Sequence, residues 1–353
     1  MNNYTSHKIK NISFLLMIMV VILHSYNIDT KQGGQILYFD KGFNWIFQNF
    51  ISNGLTRIAV PLFFIISGYL FVLDKKYALN DFSRKIKKRI KTLVIPYLSW
   101  AIIGLLLYFI LQSIPQSQSF FTKKLIKDYS LIEWVNAIFV DPIPYQLWFL
   151  RDLIVLVFLS PLIYWLVKNL KLIFLFFIFC FWLFSQDSVL LTSEALLFFA
   201  TGIYINIFFP AIIEVKNKFT YSFLGFWIAL LVLKTTFGFY EFDIILQMLV
   251  LKSSIIVGII AFWKIYDKLS RPDKVSSPFF TELIGLSFFL YLFHEPFLTI
   301  VKKFLFSKFP KTPDFYLLIY VLASVITIII TLLIGYLFKS KFNSVYKFFT
   351  GNR

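Results

Sequence analysis

The chain has 353 residues, of which 59% are hydrophobic and only 15% charged, and its formal net charge is +17. A soluble protein of this length does not carry so large an apolar fraction, so the composition excludes an ordinary soluble enzyme. The basic residues cluster between apolar segments instead of following one polar face, which argues against nucleic acid as a partner.

Long apolar segments recur along the whole chain, each near the ~20 residues that a helix needs to cross about 30 Å of hydrocarbon. They are continuously apolar rather than alternating, which favours helices over a β-barrel. In chain order we predict spans at 11–28, 55–73, 92–112, 146–167, 172–185, 193–209, 219–235, 244–263, 282–300 and 315–337. The sequence thus predicts an all-α integral membrane protein, a bundle of about ten transmembrane helices in one domain over residues 1–353.

The densest basic cluster follows the second predicted span and sets the orientation. It contains Lys75, Lys76, Arg84, Lys85, Lys87, Lys88, Arg89 and Lys91. Because positively charged loops stay in the cytoplasm, we expect this loop to be cytoplasmic. An even number of spans then places both termini in the cytoplasm. Four lysines run against this rule, because they fall in one predicted outer loop: Lys302, Lys303, Lys308 and Lys311.

Ionisable side chains inside a membrane are costly, so each is a candidate functional residue. Six lie in four predicted spans: His24, Arg57, Arg151, Asp152, His294 and Glu295. The predicted orientation puts all six at similar depth, in the outer half of the membrane. This convergence is the strongest functional signal in the sequence.

Each candidate also has a structural interpretation. His24 could face water at the interface, and Arg57 could extend to the headgroups. Arg151 and Asp152 are adjacent, hence ~100° apart on a helix, so we expect each to find its partner elsewhere. Pro296 removes a backbone donor and predicts a helix break, where the preceding polar pair would line a cavity.

A histidine near a carboxylate in a dehydrated cavity can act as a general base for a hydroxyl that attacks a thioester. The basic segment 84–91 is suited to the phosphates of an acyl donor that enters from the cytoplasm. It is explained equally well as a topology signal in contact with anionic lipid headgroups. The sequence has no CxxC, HExxH, Walker A or glycine-rich dinucleotide motif, so neither a metal nor nucleotide hydrolysis is predicted.

Five segments, in order and spacing, resemble the acyltransferase 3 family of multi-pass membrane acyltransferases. They are NISFLLMIMVVILHS, TRIAVPLFFIISGYLF, FSRKIKKRIKTLVIPYLSW, YQLWFLRDLIVLVFLSPLI and SFFLYLFHEPFL. The resemblance implies about ten transmembrane helices, a cytoplasmic acetyl-CoA donor, and an acceptor often on the far side of the membrane. It also implies a catalytic role for His24 and a reaction chamber lined by Arg57, Arg151 and the His294–Glu295 pair.

The chain departs from the family at one position. The family has an arginine eleven residues before the histidine, where this chain has Ser13. At ~100° per residue, Lys10 lies about 40° from the face of His24, one turn below Ser13, and is a candidate substitute. Lysine does not bind phosphate in the bidentate manner of arginine, so the replacement would be partial. The alternative is that this copy has lost catalysis.

The leading hypothesis is therefore an O-acyltransferase, most simply an O-acetyltransferase, that acts on a cell-envelope glycan or its lipid-linked precursor. His24 would be the general base, supported by His294 and Glu295. Arg57, Arg151 and Asp152 would contact or orient the substrate, and the predicted donor-binding residues are Lys10, Arg84, Lys88 and Arg89. The predicted partners are acyl-CoA, the glycan and membrane lipid. The amino-acid bias favours a bacterial cytoplasmic membrane as the location. Two alternatives remain at this point: a transporter or flippase for a glycan or polar solute, and an inactive relative that acts as a scaffold.

Overall fold

The computed structural model describes residues 1–28, 31–32, 35–36, 41–73, 79–115, 121, 124–184, 190–214, 219–270 and 277–352. Lys75 and Lys76 of the basic cluster lie outside these ranges. The described α-helices are α1 (Asn3–Ser25), α2 (Phe43–Ile51), α3 (Ala59–Phe71), α4 (Leu79–Arg89), α5 (Ile95–Ser113), α6 (Leu131–Phe139), α7 (Trp148–Leu170), α8 (Leu172–Phe184), α9 (Ser193–Phe208), α10 (Thr220–Phe239), α11 (Ile244–Leu269), α12 (Pro278–Gly285), α13 (Ser287–Lys308), α14 (Pro313–Lys341) and α15 (Asn343–Thr350). Short 3-10 turns occur at Leu55–Ile58, Ile126–Asp128, Tyr145–Leu147 and Pro210–Ile213, and two two-residue strands, β1 (Lys31–Gln32) and β2 (Gln35–Ile36), pair antiparallel.

Seven described helical segments are long and apolar enough to cross a membrane. An eighth candidate is the pair α12 and α13, which is bent by 56° where the two helices meet. The remaining apolar helices, α8 and α9, are shorter. Together these segments correspond one for one to the ten predicted spans, so the predicted all-α multi-pass membrane protein is confirmed.

Two predicted loops are helical instead. The basic segment 84–91 lies in α4, which ends at Arg89, and in the π-helical turn (Ile90–Val94) that joins α4 to α5. The lysines at 302, 303 and 308 lie within α13, which runs to Lys308 and not to the predicted end at 300. In both cases helical hydrogen bonding continues past the apolar run, because long basic side chains are tolerated at a helix end near the interface.

Helix α6 was not predicted, and its start is explained by local capping. The Ser130 side chain accepts a hydrogen bond from the Glu133 amide at 3.4 Å, and the Glu133 carboxylate accepts one from the Ser130 amide at 2.6 Å. The pKa of Glu133 is lowered to about 2, mainly by the hydrogen bond from Lys124 and to a smaller extent by the hydrogen bonds with Ser130. A short helix with such a cap needs no membrane-spanning length to form.

Helix α1 occupies a central position, in contact with α3, α13 and α14. Its start is fixed by Lys8, which is only 1% exposed and pairs with Asp267 of α11 at 2.8 Å. The Lys8 ammonium also lies 4.1 Å from the centroid of the Trp263 ring. A buried ammonium has to be paired, so this contact ties α1 to α11 at one end of the bundle.

Helices α3 and α9 approach each other closely at two glycines. A Cβ atom on Gly202 would lie 2.8 Å from the Tyr69 nitrogen and closer still to the Ile65 carbonyl oxygen. A Cβ atom on Gly68 would meet the Phe199 carbonyl group in the same way. Small residues let transmembrane helices pack backbone to backbone, because lipid supplies no hydrophobic force between them.

This contact predicts the effect of an added methyl group. We expect Gly202→Ala to lower the stability of the detergent-solubilised protein by about 1–3 kcal/mol, because α3 and α9 have to separate. Gly225→Ala in α10 is the matched control, since nothing lies within 4 Å of its Cβ position. Thermal unfolding followed by size-exclusion fluorescence measures both variants. Equal melting temperatures for the two variants would contradict the packing role of Gly202.

Candidate active site

His24 lies near the end of α1 and lines a cavity of about 420 Å³, called here the His24 cavity. Helices α1, α3, α7, α9 and α13 contribute to its walls. Its polar and charged lining consists of His24, Tyr26, Asn53, Thr56, Arg57, Tyr145, Gln146, Glu194, Tyr291 and Lys302. The cavity thus combines two cations and one carboxylate with a histidine, in an enclosure that also contains aromatic side chains.

The nearest polar partner of the His24 ring is a second histidine. Nδ1 of His24 lies 3.1 Å from Nε2 of His294, and the ring planes are inclined by 28° with centroids 5.2 Å apart. The Tyr145 ring approaches the His24 ring from another direction, at 4.9 Å between centroids. His294 is 0% exposed and does not line the cavity, whereas His24 is partly exposed and does. The two histidines are therefore close together, as predicted, and His24 lies between His294 and the cavity.

Glu295 lies behind the cavity too and is 1% exposed. Its φ and ψ of −115° and 136° are non-helical, so α13 breaks here, and its peptide bond to Pro296 is cis. The carboxylate accepts hydrogen bonds from the Tyr145 hydroxyl at 3.0 Å and the Thr299 hydroxyl at 2.8 Å. The predicted break is present, but the carboxylate orients Tyr145 instead of facing the cavity or the His24 ring.

The carbonyl groups at this break accept hydrogen bonds from a residue in the 3-10 turn that precedes α7. Proline at 296 removes the N–H that would serve the Leu292 carbonyl in a regular helix. The Gln146 side chain donates to the Leu292 carbonyl at 3.2 Å and to the Glu295 carbonyl at 2.8 Å. The start of α7 is thereby attached to the break in α13, and this contact brings Tyr145 and Trp148 to the cavity.

Two cations reach the cavity. Arg57 donates to the Asn53 side chain at 3.1 Å, and Lys302 donates to the His24 carbonyl at 2.8 Å. The sequence singled out Arg57 but placed Lys302 in an outer loop. No local pattern marked Lys302, because the helix breaks at Glu295 and the apolar run ends just before Lys302.

Arg151 and Asp152 have a different environment. Nη2 of Arg151 lies 2.9 Å from Oδ1 of Asp152, so the prediction that these neighbours cannot pair is wrong. The long arginine side chain folds back, which the angular separation of the two positions does not prevent. Arg151 also donates to the Val140 carbonyl at 2.5 Å, and Oδ2 of Asp152 accepts from both the amide and the hydroxyl of Thr192 at 3.0 Å.

Thr192 is the N-cap of α9, so this ion pair joins α7 to the start of α9. Neither Arg151 nor Asp152 lines the His24 cavity. Their polar atoms are engaged within the protein, which favours the structural interpretation over the predicted substrate contact.

Below the His24 cavity along α1 lies a second cavity of about 310 Å³, called here the Ser13 cavity. Its polar lining includes Ser13, Ser67, Arg89 and Ser287. Ser13 and His24 are eleven residues apart, which is about 16 Å along a helix. Four residues line both cavities: Met17, Phe63, Phe149 and Tyr291.

These four residues form a constriction between the cavities. The Phe149 ring lies 5.8 Å from the Phe63 ring and 5.7 Å from the Tyr291 ring, as measured between centroids. The Tyr291 hydroxyl donates to the Gln146 carbonyl at 2.8 Å, so the ring is held in place. The two cavities therefore adjoin at an apolar neck on one face of α1.

The predicted donor-binding residues separate into two groups. Arg89 lines the Ser13 cavity, whereas the side chains of Lys10, Arg84 and Lys88 are exposed and line neither cavity. The cation that shares a cavity with Ser13 is thus Arg89 from α4, and not Lys10 from the preceding turn of α1. Within the described residues, no group of three or more His, Cys, Asp or Glu side chains is arranged to hold a metal ion.

Comparison with known proteins places the chain in a family. The succinoglycan biosynthesis protein ExoH of Rhizobium meliloti (strain 1021) is 26% identical over 268 residues, which span 73% of this chain and 69% of that protein. No solved structure shows significant similarity to the chain. The model of the acyltransferase 3 family, described as an acyltransferase domain, matches residues 8–338. Because this match covers nearly the whole chain, the protein belongs to the acyltransferase 3 family of membrane acyltransferases.

Proposed function

We propose that the protein transfers an acyl group, in the simplest case acetyl, from cytoplasmic acyl-CoA to a hydroxyl of a cell-envelope glycan or its lipid-linked precursor. One observation carries this proposal: His24 and Arg89 line two cavities that adjoin at a narrow neck along one face of α1. This arrangement supports a donor that enters from one side and an acceptor that enters from the other.

The donor side is assigned from charge. Helix α4 ends with Lys87, Lys88 and Arg89, and a basic segment of this kind is retained in the cytoplasm of a bacterial cell. With α4 and both termini cytoplasmic, the Ser13 cavity opens toward the cytoplasm. The Arg89 guanidinium then binds a phosphate of acyl-CoA with paired N–H donors. In this role it supplies the charge that the family carries at the position of Ser13.

The acceptor side is assigned from the lining of the His24 cavity. Arg57, Glu194 and Asn53 offer hydrogen-bonding groups to a polyhydroxyl ligand, and the aromatic rings of Tyr145 and Trp148 offer apolar faces. The similarity to a protein named for succinoglycan biosynthesis supports a glycan as the acceptor.

The reaction step uses His24 as general base. The thioester end of the donor reaches through the neck, and the acceptor hydroxyl lies against the imidazole. His24 takes the hydroxyl proton as the oxygen forms a bond to the carbonyl carbon, and the C–S bond then breaks. The departing thiolate receives this proton from the imidazolium, which leaves CoA thiol, the ester and neutral His24. Lys302 lies in the same cavity, and its ammonium stabilises the negative charge on the carbonyl oxygen.

The first prediction concerns the base. We expect His24→Ala to lower acyl transfer by about 10²-fold or more, the range for loss of a general base. His7→Ala is the matched control, because His7 lies on the same helix with an exposed side chain and lines neither cavity. Both variants are expressed in a host that lacks its own copy, and base-labile acetate is measured on the purified envelope glycans at equal protein abundance.

Equal acetate in the wild type and His24→Ala would refute the role of His24. If the wild type restores no acetate but changes glycan export, the transporter interpretation replaces acyl transfer.

The second prediction concerns the donor. We expect Arg89→Gln to raise the KM for acyl-CoA by roughly tenfold or more, because a charge-assisted hydrogen bond to phosphate is lost. Arg84→Gln on the same helix and Lys10→Ala on α1 are the controls, since both side chains are exposed outside the cavity. Initial rates in proteoliposomes with varied acyl-CoA measure all three variants. A KM change confined to Lys10→Ala would restore the sequence-based assignment and reject Arg89.

A further inference from the structure

We propose that His294 is a positioning residue that fixes the tautomer of His24, so that Nε2 of His24 presents its lone pair to the acceptor hydroxyl. This inference rests on the proposed function for its consequence, but its structural content is independent of it. The sequence predicted His294 as a catalytic group. Here it is instead the middle member of a hydrogen-bond relay, which runs from backbone carbonyl groups of α13 through His294 to His24.

The first step of the relay is set by two carbonyl groups. Nδ1 of His294 lies 2.7 Å from the Tyr291 carbonyl oxygen and 3.1 Å from the Leu290 carbonyl oxygen. A carbonyl oxygen only accepts hydrogen bonds, so Nδ1 of His294 has to carry a proton.

The second step follows from the burial of His294. The ring is 0% exposed, and a charge there would need a carboxylate partner. The nearest carboxylate in sequence, Glu295, is engaged by Tyr145 and Thr299, and no described carboxylate forms an ion pair with His294. The ring is therefore neutral, and in a neutral imidazole with a protonated Nδ1 the other nitrogen, Nε2, is an acceptor.

The third step transfers this constraint to His24. Nε2 of His294 accepts, so Nδ1 of His24, 3.1 Å away, has to donate. The neutral His24 ring then has an unprotonated Nε2, for which the described residues provide no hydrogen-bond partner. Reorientation of the His24 side chain is limited by the adjacent His294 and Tyr145 rings and by the hydrogen bond from Lys302 to the His24 carbonyl.

The relay has a direct chemical consequence. A histidine in the opposite tautomer would present an N–H to the hydroxyl and could not accept its proton. In many enzymes a carboxylate fixes the tautomer of the catalytic histidine. Here a buried neutral histidine, itself oriented by backbone carbonyls, does so without placing a negative charge beside the base.

Histidine-selective ¹⁵N NMR of the protein in lipid nanodiscs tests the relay directly. The chain has 3 histidines, and His7→Gln removes the exposed one, which leaves His24 and His294. We expect Nδ1 protonated and Nε2 unprotonated on both rings, with a scalar coupling across the hydrogen bond between them. A protonated Nε2 on His24, or a doubly protonated His294, would overturn the inference.

Two variants of His294 connect the tautomer to turnover. His294→Phe keeps a ring of similar size but offers no acceptor, whereas a glutamine amide oxygen can lie near the former Nε2 and accept from His24. We expect His294→Phe to lower kcat by about 10²-fold, as for loss of the base itself, with KM unchanged for both substrates. His294→Gln should recover at least tenfold of that loss, a rescue that packing alone does not explain. Wild-type turnover by folded His294→Phe would overturn the positioning role.

The two experiments also separate this inference from the proposed function. If the wild type shows the expected nitrogens but transfers no acyl group, acyl transfer fails and the tautomer assignment stands. If acyl transfer is observed with the opposite tautomer of His24, the relay fails and the proposed function stands. Should His294→Phe not fold, the NMR spectrum of the His7→Gln protein still decides the assignment.

Discussion

Inside a membrane, a backbone group that loses its helical partner has to find another within the protein, and Pro296 imposes this constraint at the centre of the site. Without an amide proton at 296, the Leu292 carbonyl needs an external donor, and Gln146 provides it. The same glutamine holds the Glu295 carbonyl, so the start of α7 is attached to the break in α13. The positions of Tyr145 against His24 and of Tyr291 at the neck depend on this attachment.

The charged groups divide into a structural set and a set that faces the cavities. Lys8 with Asp267 ties α1 to α11, and Arg151 with Asp152 ties α7 to the N-cap of α9. These pairs are buried and have their partners within the protein, so replacing one member would leave a costly unpaired charge. Arg57 and Lys302 instead border open volume in the His24 cavity. Contact with a cavity thus distinguishes Arg57 and Lys302 from the ion-paired charges, a distinction that depth in the membrane does not make.

The sequence predicted the helical segments well, since apolar length is a local property that the bilayer imposes on each span. It also singled out His24, Arg57 and His294, and the structure places His24 beside His294 and both His24 and Arg57 in one cavity, because ionisable residues at matched depth tend to converge in a bundle. The prediction failed where the reach of a side chain or the rotation of a helix decides which residues meet. The adjacency of Arg151 and Asp152 suggested separate partners, and the position of Lys302 beyond the last apolar residue suggested a loop. The position of Arg89 in the Ser13 cavity depends on how α4 packs against α3 and α7, which no local pattern encodes.

The apolar neck between the cavities has a consequence for the cell as well as for the reaction. With the proposed orientation, Met17, Phe63, Phe149 and Tyr291 lie between a cavity on the cytoplasmic side and a cavity on the outer side of an energised membrane. An elementary charge that crossed 100 mV there would dissipate about 2.3 kcal/mol. Hydrophobic constrictions block such leakage by excluding water and ions, while an uncharged, slender group passes at little electrostatic cost. Under the proposed function, the same four side chains would admit the neutral thioester arm and exclude ions, and so would help to preserve the proton gradient.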